Sequence, residues 1–243
     1  MSAEALVEET PVWLEINSSP AVTWMCTPDQ LEELVVGWMR GEGYLEKLDD
    51  LIKLRPCATE LGFWAEVAEE RVKSVNANER KQVLASGCGA VPMYLAEPAS
   101  VKPISRSVAP PEVETLRRLF KNIFQRGERY RDTGGIHAAA LTDGTEILYH
   151  AEDIGRHNAV DKVIGASFLD ERNIEALGML VTGRISAELA YKAARSGLAY
   201  IATPSVPSTL AADIAKRAGM SLVGRAVSGS PQLHLARTGD NPV

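Results

Sequence analysis

The sequence predicts an α/β protein with a small N-terminal α+β domain and a C-terminal three-layer α/β domain that contains a mixed sheet. Two observations predict the second domain. After residue 157, helical periodicity alternates with short apolar runs, which is typical of parallel strands with crossover helices. Before that stretch, Asp143-Gly144 lies between two strand-like runs and indicates a hairpin. A proline-rich linker within residues 98–111 separates the halves, so we expect domains at 1–108 and 109–243.

The N-terminal region is predicted to begin with a β-hairpin. Trp13–Asn17 and Ala21–Cys26 are strand-like and are joined by a short polar turn. Thr27-Pro28-Asp29-Gln30 has the pattern of a capping box and predicts a helix that Thr27 caps. A second helical stretch is expected over Leu48–Lys53. Phe63–Asn76 fits either a strand or a helix, and both interpretations stay open.

The C-terminal region is predicted to contain a helix, a hairpin and then a βαβαβ succession. A helix follows Pro110-Pro111 and runs from Glu112 to Tyr130, with arginines at its carboxyl end, where a helix favours cations. The hairpin comes next. The remaining expected elements are helices at Asn158–Phe168, Ser186–Ser196 and Thr209–Ala218, and strands at Gly178–Val181, Leu198–Ala202 and Ser221–Val223.

Composition indicates an ordinary globular chain and excludes several classes of protein. Of the 243 residues, 45% are hydrophobic and 24% are charged. No apolar run reaches the ~18 residues that a membrane-spanning helix needs. The opening MSAEALVEETP has neither the basic segment nor the apolar core of a secretory signal. The three cysteines are odd in number and widely spaced, which argues against a disulfide scaffold. We therefore expect a cytoplasmic protein with no membrane partner.

Charge is distributed unevenly along the chain. Residues 1–100 hold 8 Lys/Arg and 17 Asp/Glu, whereas residues 101–243 hold 18 and 15. The second half is therefore the better host for an anionic ligand. No polybasic cluster resembles a nucleic-acid interface, so no nucleic-acid partner is expected.

Three loops are predicted to meet at the carboxyl edge of the parallel strands, where open α/β sheets bind ligands. They are Glu152–Asn158, Thr182–Ser186 and Thr203–Thr209, each rich in Gly, Ser, Thr, Asn or Arg and each followed by a helix. Free N–H groups at the helix starts, together with Arg156 and Arg184, would form a phosphate-binding site.

Two further features could belong to this edge. Asp153 or Asp161 could accept N–H donors from a purine. Thr133-Gly134-Gly135-Ile136-His137 could bring the backbone close to a ligand, because glycine has no side chain to obstruct it. Each of these features also has a structural explanation. The three loops could simply be capped helix starts beside surface arginines. The two glycines could end a helix, and His137 could face the core or solvent. Taken one by one these explanations suffice, but three such loops at one edge favour a binding site.

Cys88 is the candidate nucleophile. Serine and glycine surround it, so its sulfur could be accessible, and an accessible thiolate can carry sulfane sulfur as a persulfide. The alternative is a small apolar residue in a loop. Cys26 and Cys57 are expected to be structural.

Two other kinds of site lack their motifs. A zinc deaminase needs H-x-E with P-C-x-x-C, but Ala138 and Ala139 follow His137 and no C-x-x-C occurs. Histidine and cysteine are too scattered for a structural zinc site, so no metal site is expected. A serine hydrolase would have G-x-S-x-G, which is absent.

Several long motifs between Pro11 and Arg225 carry a specific resemblance. They are EDIGRHNAVDK, VTGRISAELAYKAARSG, IATPSVPSTLAADIAKRAGMSLVGR, TGGIHAAAL and EINSSPAVTWMCTPDQLEELVVGWMRGEGYL. Together they resemble the formate dehydrogenase accessory sulfurtransferase family. The resemblance implies a C-terminal domain of cytidine-deaminase-like architecture.

The resemblance also implies a function. Members of the family take sulfur from a cysteine desulfurase and pass it to the molybdenum bis-guanine-dinucleotide cofactor, which the formate dehydrogenase catalytic subunit needs for activity. A GDP-like portion of that cofactor is expected on the loops described above. The cofactor-binding positions expected from the matched motifs and loops are Thr133, Gly134, Gly135, His137, Asp153, Arg156, His157, Asn158, Asp161, Lys162, Gly183, Arg184, Ser186, Glu188 and Ser205.

One departure from the family leaves a choice between hypotheses. Family members commonly carry C-x-x-C, but Val91 occupies the place of the second cysteine after Cys88. In the first hypothesis the protein is a sulfurtransferase whose carrier is a Cys88 persulfide. Arg156, Arg184 and Lys162 would then oppose the cofactor phosphates. In the second hypothesis the protein is a cofactor-binding chaperone without sulfur chemistry.

A deaminase-like hydrolase is the least favoured interpretation, because metal ligands are missing. A homodimer is expected, since families of this type often pair.

Overall fold

The computed structural model describes residues 6–77, 82–83, 93–94, 101, 103–105 and 108–235. Within them a four-stranded sheet forms the N-terminal part and a six-stranded sheet forms the C-terminal part, and helices pack on both. The predicted mixed α/β class is therefore confirmed. Among the helices of these residues, none has the length and apolar character needed to cross a membrane.

The N-terminal part combines strands and helices around one core. Its elements are β1 (Thr10–Ile16), β2 (Ser19–Cys26), α1 (Leu31–Glu42), a 3₁₀ turn (Leu48–Asp50), β3 (Leu51–Pro56), β4 (Gly62–Val67) and α2 (Glu69–Ala77). The strand order is β2-β1-β4-β3, with β1 and β4 parallel and the other neighbours antiparallel. Every second residue of β1, namely Val12, Leu14 and Ile16, is buried in a core shared with Leu34 and Val35 of α1. A two-residue ladder follows, β5 (Gln82–Val83) with β6 (Met93–Tyr94).

One expectation for this part is wrong, and a second is met only in part. Thr27 does not cap α1, because Gln30 precedes the helix in a left-handed conformation, at φ 46°, with no side-chain cap. The Thr27 hydroxyl oxygen instead accepts the N–H of Ile154 at 3.1 Å, so a contact between the two parts replaces the local capping box. Leu48–Lys53 is helical only over Leu48–Asp50, as a 3₁₀ turn. This turn leads directly into β3, whose pairing with β4 overrides the local helical preference.

The C-terminal part contains the predicted mixed sheet. Its elements are α3 (Val113–Arg126), α4 (Glu128–Thr133), β7 (His137–Thr142), β8 (Ile147–Asp153), α5 (Arg156–Leu169), β9 (Gly178–Val181), α6 (Ala187–Ser196), β10 (Tyr200–Ala202), α7 (Thr209–Ala218), β11 (Ser221–Gly224) and β12 (Gln232–His234). The strand order is β12-β11-β10-β9-β7-β8. β9, β10 and β11 are parallel, while β7 and β12 run antiparallel to their neighbours. The last strand, β12, was not predicted.

Two stretches divide into separate elements. Phe63–Asn76, which fitted a strand or a helix, contains most of β4 and then most of α2. The helix expected over Glu112–Tyr130 breaks at Gly127 into α3 and α4. A Cβ on Gly127 would lie 2.6 Å from Oε1 of Glu152. The Glu152 carboxylate accepts the N–H groups of Arg129 and Tyr130 at 3.0 Å, so an acidic group from β8 caps the start of α4.

Helices α1 and α5 connect the two parts through a close crossing. A Cβ on Gly37 of α1 would overlap the carbonyl of Asp161, and a Cβ on Gly165 of α5 would overlap the carbonyl of Glu33. Phe168, at the end of α5, packs against the N-terminal core. The predicted boundary between residues 108 and 109 lies between the two sheets and stays a prediction, because the parts share this packed interface.

Candidate functional site

The carboxyl edge of the six-stranded sheet brings the predicted loops together. β8, β9 and β10 all run toward this edge and end there at Asp153, Val181 and Ala202. β7 runs the other way, so its first residue, His137, also lies at this edge, where it pairs with Asp153. We call this surface the sheet-edge site. It consists of His137 and the loops after β8, β9 and β10.

Gly183 lies where two of the loops meet. A Cβ on Gly183 would be 3.1 Å from Cδ of Arg156 and 3.3 Å from Cε1 of His137. Two side chains therefore pack directly on the Gly183 backbone, and a larger residue would displace them. The next residue, Arg184, is exposed. Four residues predicted from the motifs are thus neighbours, namely His137, Arg156, Gly183 and Arg184.

The loop after β10 is fixed against the loop after β9. Oγ1 of Thr203 donates to the carbonyl of Gly183 at 2.7 Å. The N–H of Ile185 donates to the Val206 carbonyl at 3.2 Å, and the N–H of Ser208 donates to the Ile185 carbonyl at 2.9 Å. Ser205, also a predicted site residue, is partly exposed within this braced segment, and its N–H donates to Oγ1 of Thr203 at 3.0 Å. The two loops therefore form one rigid rim.

Three helices begin at this rim, but their N-termini differ. Ser186 caps α6 by accepting the N–H of Leu189 at 3.5 Å, and Ser208 caps α7 by accepting the N–H of Ala211 at 3.1 Å. Gly155 precedes α5 and offers no side-chain cap, and the first turn of α5 contains no acidic residue. Of the three, α5 keeps the N-terminus best suited to an anion.

His157 connects the starts of α5 and α6. Its Nε2 lies 2.7 Å from Oε2 of Glu188 and 3.3 Å from Oγ of Ser186. Burial raises the pKa of Glu188, but the hydrogen bond and charge of His157 outweigh burial and hold the pKa below its usual range. The predicted residues His157, Ser186 and Glu188 therefore form a hydrogen-bonded group that aligns the two helix starts.

His137 faces this group as a neutral side chain. Burial, followed by the nearby Arg156 guanidinium, lowers the pKa of the His137 imidazole below 6.5. Near neutral pH the ring therefore has one donor and one acceptor nitrogen, and it does not add to the positive charge of the site.

The Thr133-Gly134-Gly135 turn leads into His137. Gly134 ends α4 at φ 64°, a conformation that favours glycine, and no atom lies within 4 Å of where its Cβ would be. Oγ1 of Thr133 donates to the Arg129 carbonyl at 2.8 Å and accepts the N–H of Gly135 at 3.3 Å. The turn therefore ends α4, as the structural explanation of these glycines expected. Both glycines are exposed.

Asp153, Asn158 and Lys162 do not face the sheet-edge site. Nζ of Lys162 lies 2.8 Å from Oδ2 of Asp153 and 2.7 Å from Oδ1 of Asp29, and the side chains of Lys162 and Asp153 are fully buried. Asp153 also accepts the N–H groups of Thr27 at 3.1 Å and Gly155 at 2.8 Å. The structure therefore corrects the expectation that Asp153 binds a purine and Lys162 opposes phosphates, because protein partners occupy these groups.

Asn158 and Asp161 take structural positions as well. Nδ2 of Asn158 donates to the Met25 carbonyl and to Asp153, each at 3.0 Å. Nζ of Lys192 donates to Oδ1 of Asp161 at 2.7 Å, and both residues are buried. Burial raises the pKa of Asp161, and the Lys192 charge opposes that effect. Asp161 is therefore not placed to accept donors from a purine.

The partners of these buried groups were not predicted from the sequence. Thr27, Asp29 and Lys192 all contribute, and none was selected as a functional residue. Lys192 had one detectable signal, because it lies on the apolar face of α6 between the buried Leu189 and Ala193. A lysine in that position needs a buried acidic partner.

The two cysteines within the described residues differ in environment. Cys26 is buried, and burial, followed by the charge of Asp153, raises its pKa to about 12. Cys57 is partly exposed, and a hydrogen bond with the Thr59 hydroxyl lowers its pKa. Cys88 and Val91 lie outside the described residues. Within those residues no group of three or more His, Cys, Asp or Glu side chains is placed to hold a metal ion.

Comparison with known proteins identifies the family of this chain. The sequence profile of the FdhD/NarQ family matches residues 7–236. A Listeria monocytogenes (serotype 4b, strain F2365) protein named sulfur carrier protein FdhD is 33% identical over 224 residues, covering 90% of this chain and 85% of the relative. The protein of the same name from Bacillus subtilis (strain 168) is 32% identical over 232 residues, covering 93% and 87%.

A solved structure shares the fold. It is the crystal structure of a candidate formate dehydrogenase accessory protein from Desulfotalea psychrophila, with a TM-score of 0.74 and 23% sequence identity. The likeness covers 94% of this chain and 87% of the other. With the profile match over nearly the whole sequence, these comparisons show that the chain belongs to the FdhD/NarQ family.

Proposed function

We propose that this protein carries sulfur, as a persulfide on Cys88, from a cysteine desulfurase to the molybdenum bis-guanine-dinucleotide cofactor of a formate dehydrogenase. The observation that carries the proposal is the meeting of Arg156, His137 and Gly183 at one sheet edge, next to the exposed Arg184. The name shared by the relatives, sulfur carrier protein, supports the sulfur-carrying half of the proposal.

The sheet-edge site has the chemistry to hold a GDP-like portion of this client. Gly183 lets the side chains of Arg156 and His137 pack directly on its backbone, which holds the two together at this edge. The uncapped N-terminus of α5 favours a negatively charged group. Arg184 is exposed and, among the described residues, has no carboxylate oxygen within the 4.0 Å of an ion pair. An exposed guanidinium without an ion-pair partner can form two parallel hydrogen bonds with a phosphate.

The proposed sulfur transfer proceeds in two balanced steps. The Cys88 thiolate attacks the outer sulfur of the desulfurase persulfide, the donor S–S bond breaks, and the donor cysteine leaves as a thiolate. In the second step an external thiolate attacks Sγ of Cys88, the persulfide S–S bond breaks, and the outer sulfur leaves as hydrosulfide for the cofactor. The attacking thiolate supplies the two electrons and forms a disulfide with Cys88, which a second external thiol reduces. Both thiols are external because Val91 stands in place of a neighbouring thiol.

Mass spectrometry of the loaded protein tests the sulfur-carrying half. After incubation with an active cysteine desulfurase and cysteine, we expect one added sulfur atom on Cys88. Cys57→Ala should keep the adduct and Cys88→Ala should lose it. Cys57 is the control because, of the two described cysteines, it is partly exposed whereas Cys26 is buried and protonated. Absence of an adduct on Cys88, with the desulfurase proven active, would overturn the sulfur-transfer proposal.

A second function is favoured by Val91, which removes the second thiol of the family motif. In that case the protein is a chaperone that binds the guanylyl cofactor and hands it to the apo-enzyme without sulfur chemistry. Full activation of formate dehydrogenase by Cys88→Ala would support the chaperone. Loss of activation by Cys88→Ala, with nucleotide binding intact, would support sulfur transfer.

A further inference from the structure

A second cleft lies at the opposite edge of the six-stranded sheet from the sheet-edge site. Helix α6 starts at the rim of the sheet-edge site and ends on the far side at Ser196, just before β10 begins. A cavity of about 470 Å³ opens there, and an adjoining cavity of about 300 Å³ shares part of its wall. We call the two together the α6 cleft. Its lining includes Arg40, Arg195, Ser196, Tyr191, Ile104 and Ala194.

Two arginines from different parts of the chain meet in this cleft. Arg195 of α6 packs against Gly43, where any Cβ would overlap its guanidinium. Nη1 of Arg40, on α1, donates to the Leu45 carbonyl at 3.0 Å, and the guanidinium lies 5.5 Å from the centre of the Phe168 ring. Burial and the charge of Arg195 both lower the pKa of Arg40. The two cations are therefore close enough to repel each other.

Among the described residues neither arginine forms an ion pair, although the charges of Glu46 and Asp50 partly offset that of Arg195 at Arg40. Within the described part of the chain, no carboxylate oxygen lies within the 4.0 Å of an ion pair from Arg40 or Arg195. Glu46, which lines both cavities, is 2.9 Å from Nη2 of Arg71 and is paired there. Glu175 also lines both cavities, but it is exposed to solvent, which screens its charge. The inner part of the cleft therefore holds two guanidinium groups that have no carboxylate in direct contact among the described residues.

Ser196 adds an independent observation. It lines both cavities and is only 5% exposed, yet its hydroxyl has no hydrogen-bond partner. Buried hydroxyl groups in proteins are nearly always paired, and a helical serine usually bonds to the preceding turn. The positions of Arg40 and Arg195 in the last turns of their helices explain why arginine is tolerated there. They do not explain an unpaired serine beside them.

We propose that the α6 cleft binds a small molecule with a phosphate-type oxyanion, held by Arg40 and Arg195 and by the hydroxyl of Ser196. The cavity volume lies within the range of small-molecule sites, and Ile104 and Ala194 provide an apolar wall for a carbon skeleton attached to the phosphate. Paired guanidinium groups match the geometry of such an anion. The site is separate from the nucleotide-binding surface proposed above and does not depend on it.

Residue-resolved arginine modification of the unaltered protein provides the first test. Phenylglyoxal labelling, read by mass spectrometry, is compared in inorganic phosphate, in glycerol 3-phosphate, and in chloride of equal ionic strength. We expect both phosphates to slow labelling of Arg40 and Arg195 at least about fivefold, while Arg118, exposed on α3, stays unchanged as an internal control. Stronger protection by glycerol 3-phosphate identifies a phosphate ester as the ligand class, and equal protection identifies free phosphate. Equal labelling of Arg40 and Arg195 in all three solutions overturns the proposal.

Two matched substitutions provide the second test. Arg195→Gln should weaken calorimetric binding of glycerol 3-phosphate at least about tenfold and leave GDP binding unchanged, while Arg184→Gln should do the reverse. Unchanged glycerol 3-phosphate affinity in Arg195→Gln contradicts the proposal, whatever happens to GDP. If circular dichroism shows that Arg195→Gln is unfolded, Ser196→Ala, which removes only the hydroxyl, replaces it with the same direction expected.

Discussion

Two sets of side chains in the segment EDIGRHNAVDK have different partners. Arg156 and His157 extend to the sheet-edge site, where Arg156 packs on Gly183 and His157 pairs with Glu188. Asp153, Asn158 and Lys162 point the other way and are buried against the N-terminal part of the chain. One short motif thus contributes to the sheet-edge site and also fixes the interface that positions it.

The two sets differ in how their charges are balanced. The buried set is neutralised within the protein, since Lys162 lies between Asp153 and Asp29 and donates to the carbonyl of Thr27. The sheet-edge site includes an exposed arginine, Arg184, whose charge is available to a ligand. Substitutions in the buried set should therefore change the free energy of unfolding, and substitutions at the edge should change binding.

The largest expected effect is that of Lys162→Met. It removes the cation from a fully buried site and leaves Asp153 without its ionic partner, which should lower the free energy of unfolding by about 3–5 kcal/mol in urea titrations. Arg184→Ala is the matched control and should change it by less than about 0.5 kcal/mol. Similar stability in both variants would remove the distinction between the two sets.

The glycine crossing between α1 and α5 should give the next largest effect. Gly165→Ala places a Cβ on the Glu33 carbonyl, so the helices must separate, at a cost of about 1–3 kcal/mol in the free energy of unfolding. Gly229→Ala is the matched control, because no atom lies within 4 Å of its added Cβ. If Gly165→Ala is as stable as Gly229→Ala, the crossing does not hold the two parts together.

The smallest expected effect is a pH dependence from His137. Its folded pKa lies below 6.5, so between that value and about 6.5 the unfolded chain binds more protons than the folded chain. Stability should therefore fall as the pH is lowered through this window, and His137→Gln should flatten the decline. His150 has a pKa lowered in the same direction by burial, so part of the slope should persist in the variant. Identical slopes for wild type and His137→Gln would show that His137 is not desolvated beside Arg156.

Much of the fold could be predicted because its signals are local. Gly178–Val181 and Thr209–Ala218 match β9 and α7 residue for residue, since apolar periodicity and terminal glycines mark them. The meeting of the Gly155-Arg156 and Gly183-Arg184 turns followed from strand direction alone. The β12 strand carries no such signal, because its three residues are all exposed.

The roles of individual motif residues could not be predicted in the same way. Asp153 and Lys162 are residue types that bind ligands, but their partners Thr27 and Asp29 are more than a hundred residues away in the sequence. Only the packing of the N-terminal part against the C-terminal part shows that Thr27 and Asp29 already bind Asp153 and Lys162. Arg156 and Lys162 therefore looked equivalent in the sequence, although one reaches the sheet-edge site and the other is completely buried.

Calorimetric titration of GDP into wild type and Arg184→Ala tests the central claim most directly. We expect GDP to bind wild type, and Arg184→Ala to bind about 10- to 100-fold more weakly, which corresponds to the loss of a charge-assisted hydrogen bond of about 1.5–3 kcal/mol. The urea unfolding midpoint should not change. Equal GDP affinity in the two proteins, or no GDP binding to wild type, would contradict the assignment of the sheet edge as a guanine nucleotide site.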